Sequence, residues 1–304
     1  MKVMVIGGTG HIGRFLVPML VEAGHQVVVV TRGVTPQPPG GAWGNVKMMP
    51  ADTAQLEDWT ALVSERPEVV IDIPGTAHRA YQAFRGVAAH LIAIGSLWMY
   101  GEPRVVPTPE ETQGPCPFEG YAQRYAAIQE MAARGAADGL AFTAIMPPNI
   151  CGPGKIPLEC LGGRDLAVHR AHAAGEEVVL PDGPEALVGP CDAEDVAYGV
   201  FLAMTHRSEA AGQIFNVGSV PALTWTELVA AYEEIYGVSI PIRRVGWQEY
   251  IERISPSMGH WWHLKAPMCP DIRKAQLRLE YEPRYSPWET LARAVDWMRQ
   301  EGLI

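Results

Sequence analysis

The sequence predicts an α/β fold: a doubly wound parallel sheet with a smaller C-terminal lobe interleaved with it. Three observations carry this expectation. The first half alternates strand-like apolar runs with helix-like stretches. The apolar runs are four to six residues long without polar alternation, as strands buried on both faces require. A glycine-rich turn, Gly7 to Gly13, joins the first strand-like run to the first helix-like one.

In chain order, Lys2 to Ile6 reads as the first strand and Ile12 to Ala23 as the first helix. Gln26 to Thr31 and Val46 to Met49 are the second and third strands, the latter followed by a helix from Ala54 to Ser64. Val69 to Ile73 and His90 to Gly95 are the fourth and fifth strands. A helix from about Tyr121 to Ala137 should end at Gly139, a residue suited to a left-handed helix terminus. Ala141 to Met146 is the sixth strand, stopped by Pro147-Pro148. Beyond Gly152 a Pro- and Gly-rich stretch runs to Pro190, before a helix at Ala193 to Met204 and a strand near Gln213 to Val217. Thr224 and Glu227 form a Thr-x-x-Glu capping signal for a helix ending at Tyr236, and the last helix runs from about Pro287 to Glu301. The larger domain is therefore expected over residues 1–155 with returning segments near 188–220. Residues 156–187 and 221–304 are expected to form the smaller lobe.

The formal charge of −10, from 24 basic and 34 acidic residues, repels a phosphate backbone, and no basic stripe offsets it, so nucleic acid is not an expected partner. No segment approaches the length of an apolar membrane span. The N-terminal apolar run, Val3 to Ile6, is shorter than a secretion signal needs; a soluble, cytoplasmic protein is expected. The five cysteines are odd in number and lack a C-x-x-C pair, which suggests buried small hydrophobes rather than disulfides or a metal site. His169 with His172 and His260 with His263 have an H-x-x-H spacing, but a metal is not expected there.

The turn Gly7-Gly8-Thr9-Gly10-His11-Ile12-Gly13 follows a strand and opens a helix, the context in which such glycines hold a dinucleotide. Gly7 allows the tight turn, Gly10 lets the pyrophosphate approach, Gly13 lets helix and strand pack closely, and the helix N-terminus attracts the anion. The fold is thus Rossmann-type. An NAD-selective fold usually places an acid at the end of the second strand. Here Val27 to Ala51 contains no Asp or Glu, and Thr31-Arg32 occupies the strand end, where a guanidinium could grip a 2′-phosphate. NADP is expected over NAD. Asp52 could accept from the adenine amino group or cap the next helix.

Ser96 ends the fifth strand and Tyr121 follows 25 residues later. With the glycine loop, these residues resemble the extended short-chain dehydrogenases/reductases, the NAD-dependent epimerase/dehydratase family. Met146-Pro147-Pro148-Asn149-Ile150-Cys151-Gly152-Pro153-Gly154, Asp192-Ala193-Glu194-Asp195-Val196-Ala197, Gly212 to Gly218 and Tyr281-Glu282-Pro283-Arg284 are similar to further landmarks of that family. The resemblance implies that Tyr121 is the acid/base of hydride transfer and that Ser96 positions the substrate oxygen. It also implies that Pro147 and the residue at position 125 lie against the cofactor, that Asn149 contacts substrate, and that the protein is a homodimer.

One position departs from the family pattern. The lysine expected four residues after Tyr121 is Tyr125, so the cation that would favour a phenolate is missing. Arg124, three residues after Tyr121, could substitute. Directly after Ser96, Leu97, Trp98 and Met99 offer no acid/base pair for dehydration, and Trp98 and Met99 suggest an apolar pocket wall. The expected function is oxidation, reduction or epimerisation of a small carbonyl or hydroxyl compound, with nucleotide sugars among the candidates. The alternative is a cofactor-binding sensor that has lost catalysis.

Overall fold

The computed structural model describes residues 1–304 and has the α/β architecture that the sequence predicts. Seven parallel strands form one sheet: β1 (Lys2–Ile6), β2 (Gln26–Thr31), β3 (Lys47–Pro50), β4 (Val69–Asp72), β5 (His90–Ile94), β6 (Ala141–Met146) and a seventh, Gln213–Asn216. The seventh lies outside β6, followed inward by β5, β4, β1, β2 and β3. β1 pairs with β2 on one side and β4 on the other. The order reverses there, and the crevice beyond the strand ends at such a point is where α/β sheets bind ligands.

The apolar strands bury both faces. Val3 and Val5 face a core completed by Leu16, Val17 and Leu20 of α1 (Gly13–Glu22), together with Val196 and Val200 from another helix, Ala193–Thr205. Met4 and Ile6 face the opposite core, filled by Trp59 and Leu62 of α2 (Leu56–Ser64), Tyr81 and Phe84 of α3 (Ala77–Phe84), and Ile128 and Met131 of α4 (Glu119–Arg134). α3 is absent from the sequence-based expectation, because eight residues carry too short a periodic signal. α4 also ends earlier than expected. A Cβ on Gly135 would lie 2.6 Å from the Leu140 carbonyl oxygen, so the chain leaves the helix there, and Gly139, at φ +71°, turns the following loop.

The smaller lobe has its own core, in which Leu158, Leu180, Trp225, Leu228, Tyr232, Tyr250, Val295 and Met298 meet. It includes the parallel pair Val178–Pro181 with Ile242–Val245. The helices Trp225–Tyr236 and Pro287–Gln300 each start with a complete capping box, Thr224 with Glu227 and Ser286 with Glu289. No helix is long and apolar enough to cross a membrane.

An ionic network joins the last helix to the larger domain. Arg293 donates to the buried Asp192 through Nε (2.9 Å) and to Glu194 through Nη2 (2.6 Å). Asp192 also caps the helix Ala193–Thr205, accepting from Glu194 N. Asp195 accepts the backbone N–H groups of Arg284 (2.9 Å) and Tyr285 (3.2 Å). Removing one partner of a buried ion pair leaves a charge without compensation. Arg293→Met should therefore lower unfolding free energy by about 3 kcal/mol, measured by urea denaturation, and a loss below about 0.5 kcal/mol, the scale of an ordinary surface substitution, would show that the network does not hold the joint.

Candidate active site

The glycine loop starts where β1 ends. Gly7 donates its N–H to the Val30 carbonyl (2.9 Å) and adopts φ +76°; a Cβ there would sit 2.9 Å from Pro74 Cγ. On Gly10 a Cβ would reach 3.3 Å from the Gly7 carbonyl oxygen, and on Gly13 it would penetrate to 2.1 Å from that of Gly8. Gly8 is constrained as well, with both Val29 methyls 3.0 Å from a Cβ. The loop is a backbone-only cradle that side chains would fill. Its residues fit a dinucleotide pyrophosphate: Gly7 and Gly10, whose N–H groups are used within the fold, keep the approach free of side chains, and the N-terminus of α1 would hold the anion.

On one side of the loop lies a cleft of about 400 Å³ lined by Gly7, Thr9, Gly10, Thr31, Arg32, Asp52 and Arg79, among others. The Thr9 and Thr31 hydroxyls are 3.1 Å apart. Arg32 is exposed. Asp52 accepts from Ala54 N (3.0 Å) while lining the cleft, but α2 begins at Leu56 with Gln55 as its cap residue, so Asp52 caps the preceding turn and not the helix. Arg79 belongs to α3 and donates to the Thr53 and Ala54 carbonyls (both 3.0 Å); the sequence reading missed it together with its helix.

Beyond Pro74 a second cleft of about 280 Å³ is lined by His11, Ile12, Ser96, Met99, Tyr121, Arg124 and Pro147, and also by Lys155 and Arg164. Ser96 ends the β5 segment and receives the N–H of Trp98 at 3.3 Å. The turn after it is pinned by Leu97 N donating to the Pro147 carbonyl (3.0 Å). Gly95 is required before Ser96, since a Cβ there would lie 2.3 Å from Met146 Sδ. Tyr121 lies in the first turn of α4, with its ring 6.0 Å from Trp98 and 6.1 Å from Phe118. Arg124 extends to Gly75, its Nη1 3.5 Å from where a Cβ would be. His11 is kept neutral: burial, then Lys155 and Arg164, push its imidazole down to about 4.

Three expected site residues lie elsewhere. Tyr125 lines neither cleft. It is buried in the core with its ring 5.1 Å from Tyr100, and burial pushes its phenol up to about 12. Asn149 pairs in the short ladder with Pro190–Asp192 and accepts from Gly189 N (3.4 Å), outside the second cleft. Trp98 stacks on Phe118 (4.7 Å) and meets His263 (4.5 Å), so it backs the cleft beside Tyr121 without lining it. Lys155 and Arg164 were not foreseen, because nothing in local spacing associates them with residues 96 and 121.

The paired histidines are structural. His169 contacts the Tyr236 hydroxyl and the Pro157 carbonyl (both 3.2 Å), and His172 Nε2 accepts from Cys160 N (3.2 Å); burial pushes both rings down to about 4. His263 contacts the Gly162 carbonyl (3.0 Å).

A model of the NAD dependent epimerase/dehydratase family matches residues 3–83 and 79–218. The chain is 29% identical over 265 residues to a dTDP-6-deoxy-L-talose 4-dehydrogenase (NAD(P)(+)) of Kitasatospora kifunensis, covering 80% of this chain and 82% of that one. It is 25% identical over 286 residues to a UDP-glucose 4-epimerase of Corynebacterium glutamicum, covering 79% and 82%. The fold is similar to that of a UDP-glucose 4-epimerase from Thermotoga maritima, with a TM-score of 0.77 and 21% identity over 99% of both chains.

Asp72, at the end of β4, offers a test of the site's electrostatics. Its Oδ1 accepts from the Thr76 hydroxyl (2.5 Å), while Oδ2 is buried without a partner. Burial pushes the carboxyl up to about 6 from 3.8, opposed by the hydrogen bonds and by Arg124. A raised folded value contributes stability below the unfolded value and loses it as pH rises through the folded one. Wild-type stability, measured against Asp72→Asn, should therefore fall by about 2 kcal/mol between pH 4 and 6. Parallel pH profiles of the two proteins would refute this.

Proposed function

The chain belongs to the NAD-dependent epimerase/dehydratase family, and on that footing we propose that it is an NADP-preferring oxidoreductase acting on a small hydroxyl or carbonyl compound of the sugar type. One observation carries this reading: Ser96, Tyr121 and Arg124 line a single cavity that opens beside the glycine loop. The cradle at Gly7, Gly10 and Gly13 supports cofactor binding. Arg32 and Arg79, at a cleft where β2 ends without an acid, support selection of the 2′-phosphate.

When bound, the nicotinamide exchanges a hydride with the reacting carbon. The Ser96 hydroxyl, which receives only the Trp98 N–H, is free to donate to the substrate oxygen. The Tyr121 hydroxyl passes a proton to that oxygen during reduction and removes it during oxidation. Arg124 lines the same cavity and is the cation within it on the helix of Tyr121, whereas Tyr125 is turned into the core. Met99 lines the same cavity, and Trp98 and Phe118 pack against the Tyr121 ring. Leu97, Trp98 and Met99 supply no acid/base pair after Ser96, which favours redox chemistry or epimerisation over dehydration. The dTDP-sugar dehydrogenase and UDP-glucose epimerase relatives support a sugar-type substrate, nucleotide-linked or free.

Tyr121→Phe should lower kcat/KM at least about 100-fold on a substrate the wild type turns over, with cofactor affinity unchanged. Unchanged turnover would remove Tyr121 from the mechanism. A wild type that binds cofactor but turns over no sugar or small carbonyl compound would replace this reading with the sensor.

In fluorescence titrations NADPH should bind about tenfold more tightly than NADH, as one charge-assisted contact implies, and Arg32→Ala should erase most of the difference. Equal wild-type affinities would defeat the NADP assignment.

A further inference from the structure

The second cleft carries more positive charge than proton transfer requires. Arg124, Lys155 and Arg164 all line it, and no carboxylate does, in a chain of net charge −10. Lys155 is set by a turn in which its N–H donates to the Gly152 carbonyl (2.9 Å). That turn depends on two glycines, Gly152 at φ +112° and Gly154 at φ +92°. A Cβ on Gly154 would lie 2.6 Å from Arg14 Nη1, so the Arg14 side chain of α1 passes close beside the turn. Arg164 donates through Nη1 to the Ile156 carbonyl, leaving four of its five N–H groups for other partners.

Neither cation is neutralised by the protein. Arg164 is the one charged neighbour that acts on Lys155, and burial opposes the charge of both. The carboxylate that acts on Arg164 is Glu159, which is committed to the Leu161 N–H (2.5 Å) and pushed up to about 7 by burial. Two like charges held together out of bulk water are destabilising unless an anion meets them.

We propose that Lys155 and Arg164 form a carboxylate-binding subsite in the catalytic cleft, and that the substrate carries this carboxylate on the same half as its reacting carbon. The cleft's volume of about 280 Å³ argues for that placement. A cavity this small, also bounded by Ser96 and Tyr121, brings the anion close to the reacting centre rather than leaving it on a remote tail. The planar guanidinium of Arg164 suits the two oxygens of a carboxylate, with Lys155 as a second point charge. The substrate class is thereby narrowed to hydroxy or keto acids, sugar acids included. This inference rests on the reading of Ser96 and Tyr121 as the reacting site.

The test is calorimetric titration of the protein saturated with NADP⁺, using acetate against acetamide, lactate against lactamide and D-glucuronate against D-glucose. At least one carboxylate should bind tenfold or more tightly than its neutral counterpart, the fold-change expected for a charge-assisted pair (about tenfold or more). Lys155→Met should remove most of that preference while leaving NADP⁺ affinity within about twofold, and Arg164→Lys should keep part of it, since charge without the fork remains. If the Arg164 variant does not fold, the partly exposed Lys155 decides the matter alone. The proposal is overturned if no pair shows the preference, if inorganic phosphate binds tenfold more tightly than every carboxylate, or if Lys155→Met weakens NADP⁺ as much as carboxylate. Carboxylate preference without turnover would leave the subsite standing and refute the oxidoreductase reading. Turnover of neutral compounds without that preference would do the reverse.

Discussion

The contact on which the remaining geometry depends is between two pieces of backbone, where the first residue of α1 lies on the loop that leaves β1. Gly13 approaches the Gly8 carbonyl so closely that a Cβ would sit 2.1 Å from its oxygen. No other residue type can close that distance. It seats the positive end of α1 at the switch point between β1 and β4, where the dipole of the helix favours an anion. The two clefts lie on either side of this loop, and the Arg14 side chain passes beside the turn that carries Lys155.

From this seat the two clefts divide the work by charge and access. The outer one has Thr31, Arg32, Asp52 and Arg79 around it. The inner one is walled by β5, α4 and the 152–164 loop, and its polar groups are a serine, a tyrosine, a histidine held neutral and three cations.

The α/β layout and the glycine loop were legible in the sequence because they are written in local spacing, as apolar runs of strand length and glycines at fixed intervals after the first run. Ser96 and Tyr121 were found by their resemblance to the family pattern, a serine at a strand end with a tyrosine 25 residues later, and both line the inner cleft. Tyr125 was expected at the cofactor because it occupies the position of the family's lysine; an aromatic ring there is instead buried in the core against Tyr100. Lys155 and Arg164 were invisible for another reason. They belong to an irregular segment pinned within itself by Arg164 on the Ile156 carbonyl and passing close to Arg14 and His260, and no periodicity encodes such a path. Asn149 was expected at the substrate from the family likeness, whereas here it enters a short parallel ladder with Pro190–Asp192.

The smaller lobe draws its core from segments on both sides of the seventh strand: Leu158 and Leu180 come before it, and Trp225, Tyr250 and Val295 after it. Its last helix is tied back to Asp192 and Glu194 by Arg293. A lobe assembled in this way is not a cassette: it cannot be cut out, exchanged with a relative's or appended to another dinucleotide domain without breaking the sheet that supports it. Divergence of specificity on this scaffold must proceed by single replacements and by changes in the length of the 152–164 loop, where the chain passes the inner cleft without belonging to either core's regular elements.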